Sequence, residues 1–183
     1  MARMQFEQES RARQAIEQLK YRYWRACDAK DPEGFRACFV AEGGLLDFGP
    51  LGRTDPDTMV GIFRQIALAT ASDGGPRILD MHHGLMPSIA VEDPADGGAP
   101  RRATGTWTLQ FRQVDRENGT ETLSTGEYSD VYVVERGRWV MAECLFSPGW
   151  SITRSLDSAT VTFPEVHTVR GDETEAATAG VDS

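Results

Sequence analysis

Positive charge is scarce in this sequence. Its 19 Lys and Arg stand against 28 Asp and Glu, for a formal net charge of −9. That balance argues against an extended basic face, so nucleic acid and anionic membranes are not expected partners. Cysteine is also scarce. Cys27, Cys38 and Cys144 are odd in number and form no CxxC pair, which excludes a disulfide framework. They read as small buried hydrophobes in a reducing cytoplasm. No apolar run reaches the length of a membrane span, and the opening MARMQFEQES lacks the apolar segment of a signal peptide. GxGxxG, Walker and HxxxH patterns are absent, so neither a nucleotide nor a metal is called for. There is no internal repeat.

What is present is ordinary globular material, 40% apolar and 26% charged, in 183 residues. It reads as one domain over 1–163, large enough to enclose a pocket, followed by an acidic, loosely held tail over 164–183. Residues 1 to 5 are expected to fray. Ile16, Leu19, Tyr23 and Cys27 recur at spacings of three and four and predict a long helix over Phe6–Ala29. Asp28 lies about 140° round that helix from Tyr23, so the two would flank a cavity rather than stack. Tyr21 and Trp24 are expected on the outside of the helix or at an oligomer contact. Asp31-Pro32 predicts an N-cap and first position for a second helix carrying Phe35, Cys38 and Phe39, stopped by Gly43-Gly44. A short strand follows over Leu45–Phe48 and is broken at Gly49-Pro50. Asp55-Pro56 opens a third helix with Met59, Ile62, Phe63 and Ile66 inward.

Strand signals then take over: Arg77–Val91 with a kink at Gly84 and Pro87, Arg102–Val114, Thr122–Glu135 and Arg138–Phe146. Turns are expected at 115–119 and at Gly137. Long antiparallel strands after a helical start predict an α+β domain with a strongly bent sheet. Because such a sheet leaves one broad face uncovered, a homo-oligomer, a dimer or a trimer, is expected.

Three histidines are available, and two are adjacent. Side chains alternate across a strand, so only one of His82 and His83 faces a pocket. Two such residues cannot easily share one metal ion. Tyr128, Asp130 and Tyr132 fall on one face of their strand. Trp107, Phe111 and these tyrosines supply aromatic surface.

The Tyr23-x4-Asp28 pair, the Asp31-Pro32 turn, the His82-His83 pair and the late strands around Tyr128 and Trp139 together resemble the nuclear transport factor two-like superfamily. The resemblance covers Ile16 to Pro148 and is nearest to the SnoaL-like, scytalone dehydratase-like branch. It implies a cone-shaped α+β barrel, with the long helix closing a pocket against the curved sheet. It also implies a cofactor-independent lyase or isomerase, of dehydratase or polyketide cyclase type, acting on a hydrophobic, carbonyl-containing small molecule. By the same resemblance His82 is the inward catalytic histidine and Tyr23 the hydroxyl that meets a substrate carbonyl; a carboxylate on one ring nitrogen would fix the tautomer of such a histidine, which makes Asp28 its candidate partner. Asp47 matches the proton-shuttling base of ketosteroid isomerase-like members. Tyr128, Trp107, Phe63, Met59 and His83 are candidate substrate contacts. Two other roles use the same fold: a non-catalytic β subunit of a ring-hydroxylating oxygenase, and a ligand-binding or assembly module.

Overall fold

A computed structural model describes residues 2–94 and 98–160. Helix α1 spans Ala2–Asp28, so it begins at Ala2 where fraying was expected. Its apolar stripe is buried: Ile16, Leu19, Tyr23 and Cys27 all belong to the core. Helix α2 is Pro32–Arg36, capped by Asp31, whose side chain accepts from the Gly34 N–H. Cys38 and Phe39 lie just past it and are buried. Helix α3 is Pro56–Ala67, capped by Asp55 through the Thr58 N–H. Both caps satisfy donors that a helix start would otherwise leave orphaned. Arg36 and Asp57, 2.6 Å apart, tie α2 to α3.

Six strands form one curled, unclosed sheet in the order β2-β1-β6-β5-β4-β3. They are β1 Leu45–Asp47, β2 Arg53–Thr54, β3 Ile78–Val91, β4 Arg102–Asp115, β5 Thr120–Glu135 and β6 Arg138–Ser155. The long strands β3 to β6 pair antiparallel. Strand β1 departs from the all-antiparallel expectation by running parallel to β6, with Leu46 opposite Cys144. Strand β6 also runs nine residues beyond the expected end at Phe146, to Ser155. Pro148 and Gly149 hid that extension from a propensity reading. The expected kink in β3 is a register shift between Leu85 and Ser88, with Met86 at φ 48°. Among the described residues, no helix is long and apolar enough to cross a membrane. The expected tail over 164–183 lies outside the described residues.

Helix α1 lies close against the sheet because Gly84 allows it. A Cβ at Gly84 would meet the Trp24 ring at 1.7 Å. Trp24 therefore points into the sheet, edge-on to Trp107 at 5.3 Å between ring centroids, and is core rather than outward as expected. A wholly buried ion pair fixes the helix from below. Lys20 and Asp130, both with 0% side-chain exposure, lie 2.7 Å apart. The Lys20 ammonium sits 3.7 Å from the centre of the Tyr128 ring. Asp130 Oδ2 also accepts from the Tyr132 hydroxyl at 2.6 Å, and that hydroxyl accepts from Trp107 Nε1 at 2.9 Å.

Candidate active site

Between α1, α3 and the concave side of the sheet lies a cavity of about 430 Å³. Its apolar wall includes Phe48, Leu51, Met59, Phe63 and Phe146. A polar strip runs across it from β3 to β5: Asp80, His82, Gln113, Ser124 and Thr125. Strand pairing builds that strip, since His82 lies opposite Phe111 and Asp80 opposite Gln113, with Ser124 opposite Phe111 on the far side.

The last residue of α1 meets the middle of β3 here. Asp28 Oδ1 is 2.6 Å from His82 Nδ1. Both carboxylate oxygens also accept from the His82 backbone N–H, at 3.2 Å each. One carboxylate thus holds both the strand and the ring. With Nδ1 engaged by Asp28, the ring proton belongs on Nδ1 and Nε2 carries the lone pair. Nε2 has no partner among the described residues. The imidazole, its side chain 12% exposed, packs on Phe111 at 4.5 Å between ring centroids. Water reaches it poorly, while the cavity opens beside it.

Tyr23 and Tyr128 line the same cavity, with ring centroids 6.3 Å apart and edge to face. Burial first, and then the neighbouring groups, push both phenols well above their ordinary pKa. They are therefore proton donors throughout the working range rather than phenolates. Cys27 also lines the cavity, and burial raises its thiol well above the usual range, which removes it as a nucleophile.

The structure therefore brings together His82, Asp28, Tyr23, Tyr128, Phe63 and Met59, and leaves three candidates outside. Asp47 does not line the cavity. Its carboxylate accepts from the Gly49 N–H at 3.1 Å and faces Arg53 at 3.8 Å, because β1 ends before the cavity and turns into a short 3₁₀ segment, Gly49–Leu51. His83 is exposed on the opposite face of β3, as strand alternation requires. Trp107 is 1% exposed, spends its N–H on Tyr132 and lies in the core, outside the cavity lining. Sequence reasoning missed Asp80 and Gln113. Gln113 Nε2 donates to Asp80 Oδ1 at 3.0 Å, and Lys30 closes on the other oxygen. The only signal in the sequence was that Asp80 shares a strand face with His82 at a spacing of two. Among the described residues no three His, Cys, Asp or Glu side chains converge to hold a metal ion.

A family model described as a SnoaL-like domain matches residues 8–144, from α1 into β6. The chain belongs to the SnoaL-like domain family. No curated protein matches its sequence. The SnoaL-like chain resembles several solved structures in fold. One is a protein named as a candidate scytalone dehydratase from Novosphingobium aromaticivorans, with TM-score 0.65, 18% identity, and coverage of 80% of this chain and 90% of that one. A second is the hexachlorocyclohexane dehydrochlorinase LinA-type3 from Novosphingobium barchaimii, with TM-score 0.64, 12% identity, and coverage of 86% and 97%. A third is named as a candidate aromatic ring hydroxylase, also from Novosphingobium aromaticivorans, with TM-score 0.60, 16% identity, and coverage of 78% and 92%. At such identities the likeness of this SnoaL-like domain to each is one of fold.

Proposed function

We propose that this SnoaL-like protein is a cofactor-independent lyase or isomerase of dehydratase type. Its substrate is a hydrophobic small molecule with a carbonyl group, of polycyclic or polyketide-like shape. The observation that carries the reading is the Asp28–His82 pair at the edge of an apolar cavity, with Nε2 left unpartnered.

Neutral His82 takes a proton at Nε2 from the carbon next to the carbonyl. The C–H electron pair moves into a new C=C bond as the carbonyl oxygen gains negative charge. Asp28 keeps Nδ1–H in place and stabilises the imidazolium that forms. The Tyr23 hydroxyl on the cavity wall donates a hydrogen bond to the developing oxyanion. The electrons then return, expelling hydroxide from the neighbouring carbon, and the Nε2 proton leaves with it as water. In an isomerisation the same proton is returned to a different carbon. The apolar wall holds the body of the substrate.

The test is turnover by purified variants on a panel of β-hydroxy carbonyl compounds. His82→Ala is expected to lower turnover by about 10²–10⁴-fold, the range for a positioned proton-transfer group. His83→Ala, on the outer face, is expected to be silent. Full activity in His82→Ala on a verified substrate would defeat the proposal. A module that only binds ligand would instead give saturable binding to both proteins and turnover by neither.

A further inference from the structure

The cavity occupies one side of α1. On another side of the same helix is a second hollow of about 480 Å³, between α1, the start of α2 and the start of β6. Arg22 and Arg25 reach it from α1 and Arg138 from the first position of β6. Half-buried Trp139 lines it as well, and small residues such as Ala26 and Gly34 leave it open.

Nine described arginines, from Arg13 to Arg154, each have a carboxylate within ion-pair distance. Six more whose side chains are described, Arg11, Arg22, Arg25, Arg101, Arg136 and Arg138, have none, and three of those six line this one hollow. Arg22 and Arg25, three positions apart, are neighbours on the helix surface, where like charges repel. The one carboxylate in the hollow, Asp31, is engaged as the cap of α2, accepting from the Gly34 N–H at 2.9 Å. Three guanidinium groups against one carboxylate leave two positive charges without a counter-charge. Planar guanidinium forks suit oxyanions, which they hold through paired N–H donors.

We propose that this hollow binds a small, multiply charged oxyanion, a phosphate ester or a polycarboxylate, with Trp139 as its aromatic wall. The site is separate from the cavity and does not depend on the reaction assigned there. The full chain is titrated with inorganic pyrophosphate and, separately, with citrate, and followed by melting temperature and tryptophan emission. A saturable rise in melting temperature is expected, and the tighter of the two anions distinguishes the phosphate source from the carboxylate source. The combined variant Arg22→Gln, Arg25→Gln, Arg138→Gln is expected to bind about a hundredfold more weakly or worse, since it loses three sets of charge-assisted hydrogen bonds. Arg11→Gln, Arg101→Gln, Arg136→Gln makes the same change of net charge at unpaired arginines elsewhere, and should keep the affinity within a few-fold. Arg25→Lys keeps the charge without the fork and should fall between wild type and the triple variant. No saturation with either anion, or equal losses in the two triple variants, would overturn the proposal.

Discussion

At the scale of single residues, Asp28 does two things at once. It grips the His82 ring at 2.6 Å and the His82 backbone N–H with both oxygens. Asp28→Asn is expected to lower turnover less than His82→Ala, because the base remains while its tautomer and imidazolium lose support. The double variant should be little worse than His82→Ala alone, since both groups serve one proton transfer. Steady-state kinetics on the three variants checks this, and additive losses would separate the two residues. Tyr23→Phe should lower turnover without unfolding the chain, as it removes one hydroxyl and little volume. Gly84 is the other residue whose identity is forced. Gly84→Ala sets a methyl group against the Trp24 ring and should cost about 1–3 kcal/mol of stability as overpacking. Adding Trp24→Leu should return part of that loss. Urea unfolding of the two variants measures both effects, and an undisturbed Gly84→Ala would contradict the close approach.

At the scale of elements, α1 is joined to β5 by a charge pair that no water reaches. Lys20→Met alone leaves Asp130 buried without its counter-charge and should cost about 3–5 kcal/mol. Combining it with Asp130→Leu removes both charges and should restore most of that stability, because well-packed apolar replacements of a buried pair are often neutral. Denaturant midpoints of the single and double variants decide the matter. If the double variant is as unstable as the sum of the singles, the pair is not acting as a pair. The helices and caps were legible from Asp31-Pro32 and Asp55-Pro56, since a cap is a local event within four residues. The β6 extension was not, because its nine added residues are exposed and depend on pairing with β5 around Gly126 and Ser124.

For the molecule as a whole, three of the four tyrosines are proton-bound more tightly in the fold than in the unfolded chain. Burial is the leading cause for Tyr23, Tyr128 and Tyr132 alike. An unfolded tyrosine ionises near pH 10. A raised folded pKa therefore contributes stability in full below about pH 10 and loses it as the pH climbs beyond. Alkaline unfolding should accordingly be cooperative, with most tyrosinate absorbance appearing together with loss of circular dichroism. Ionisation of these three side chains near pH 10 in a folded chain would contradict their burial.

The sequence by itself determined the helix caps, the apolar stripe of α1, the alternation that sets His82 against His83, and the strands from β3 to β5. Each rests on neighbours within a few residues, where spacing dictates which side chains share a face. Family resemblance added His82 as the inward histidine, and the chemistry of an imidazole held by a carboxylate suggested Asp28, 54 residues away in the chain, as its partner. Only the tertiary structure decided that Asp47 and Trp107 stand outside the cavity, that Trp24 turns inward over Gly84, and that Lys20 finds Asp130. Those outcomes depend on how far α1 sinks into the curl of the sheet and on where each strand ends along it. Such distances are set by packing between elements remote in sequence, and no periodicity within one element contains them.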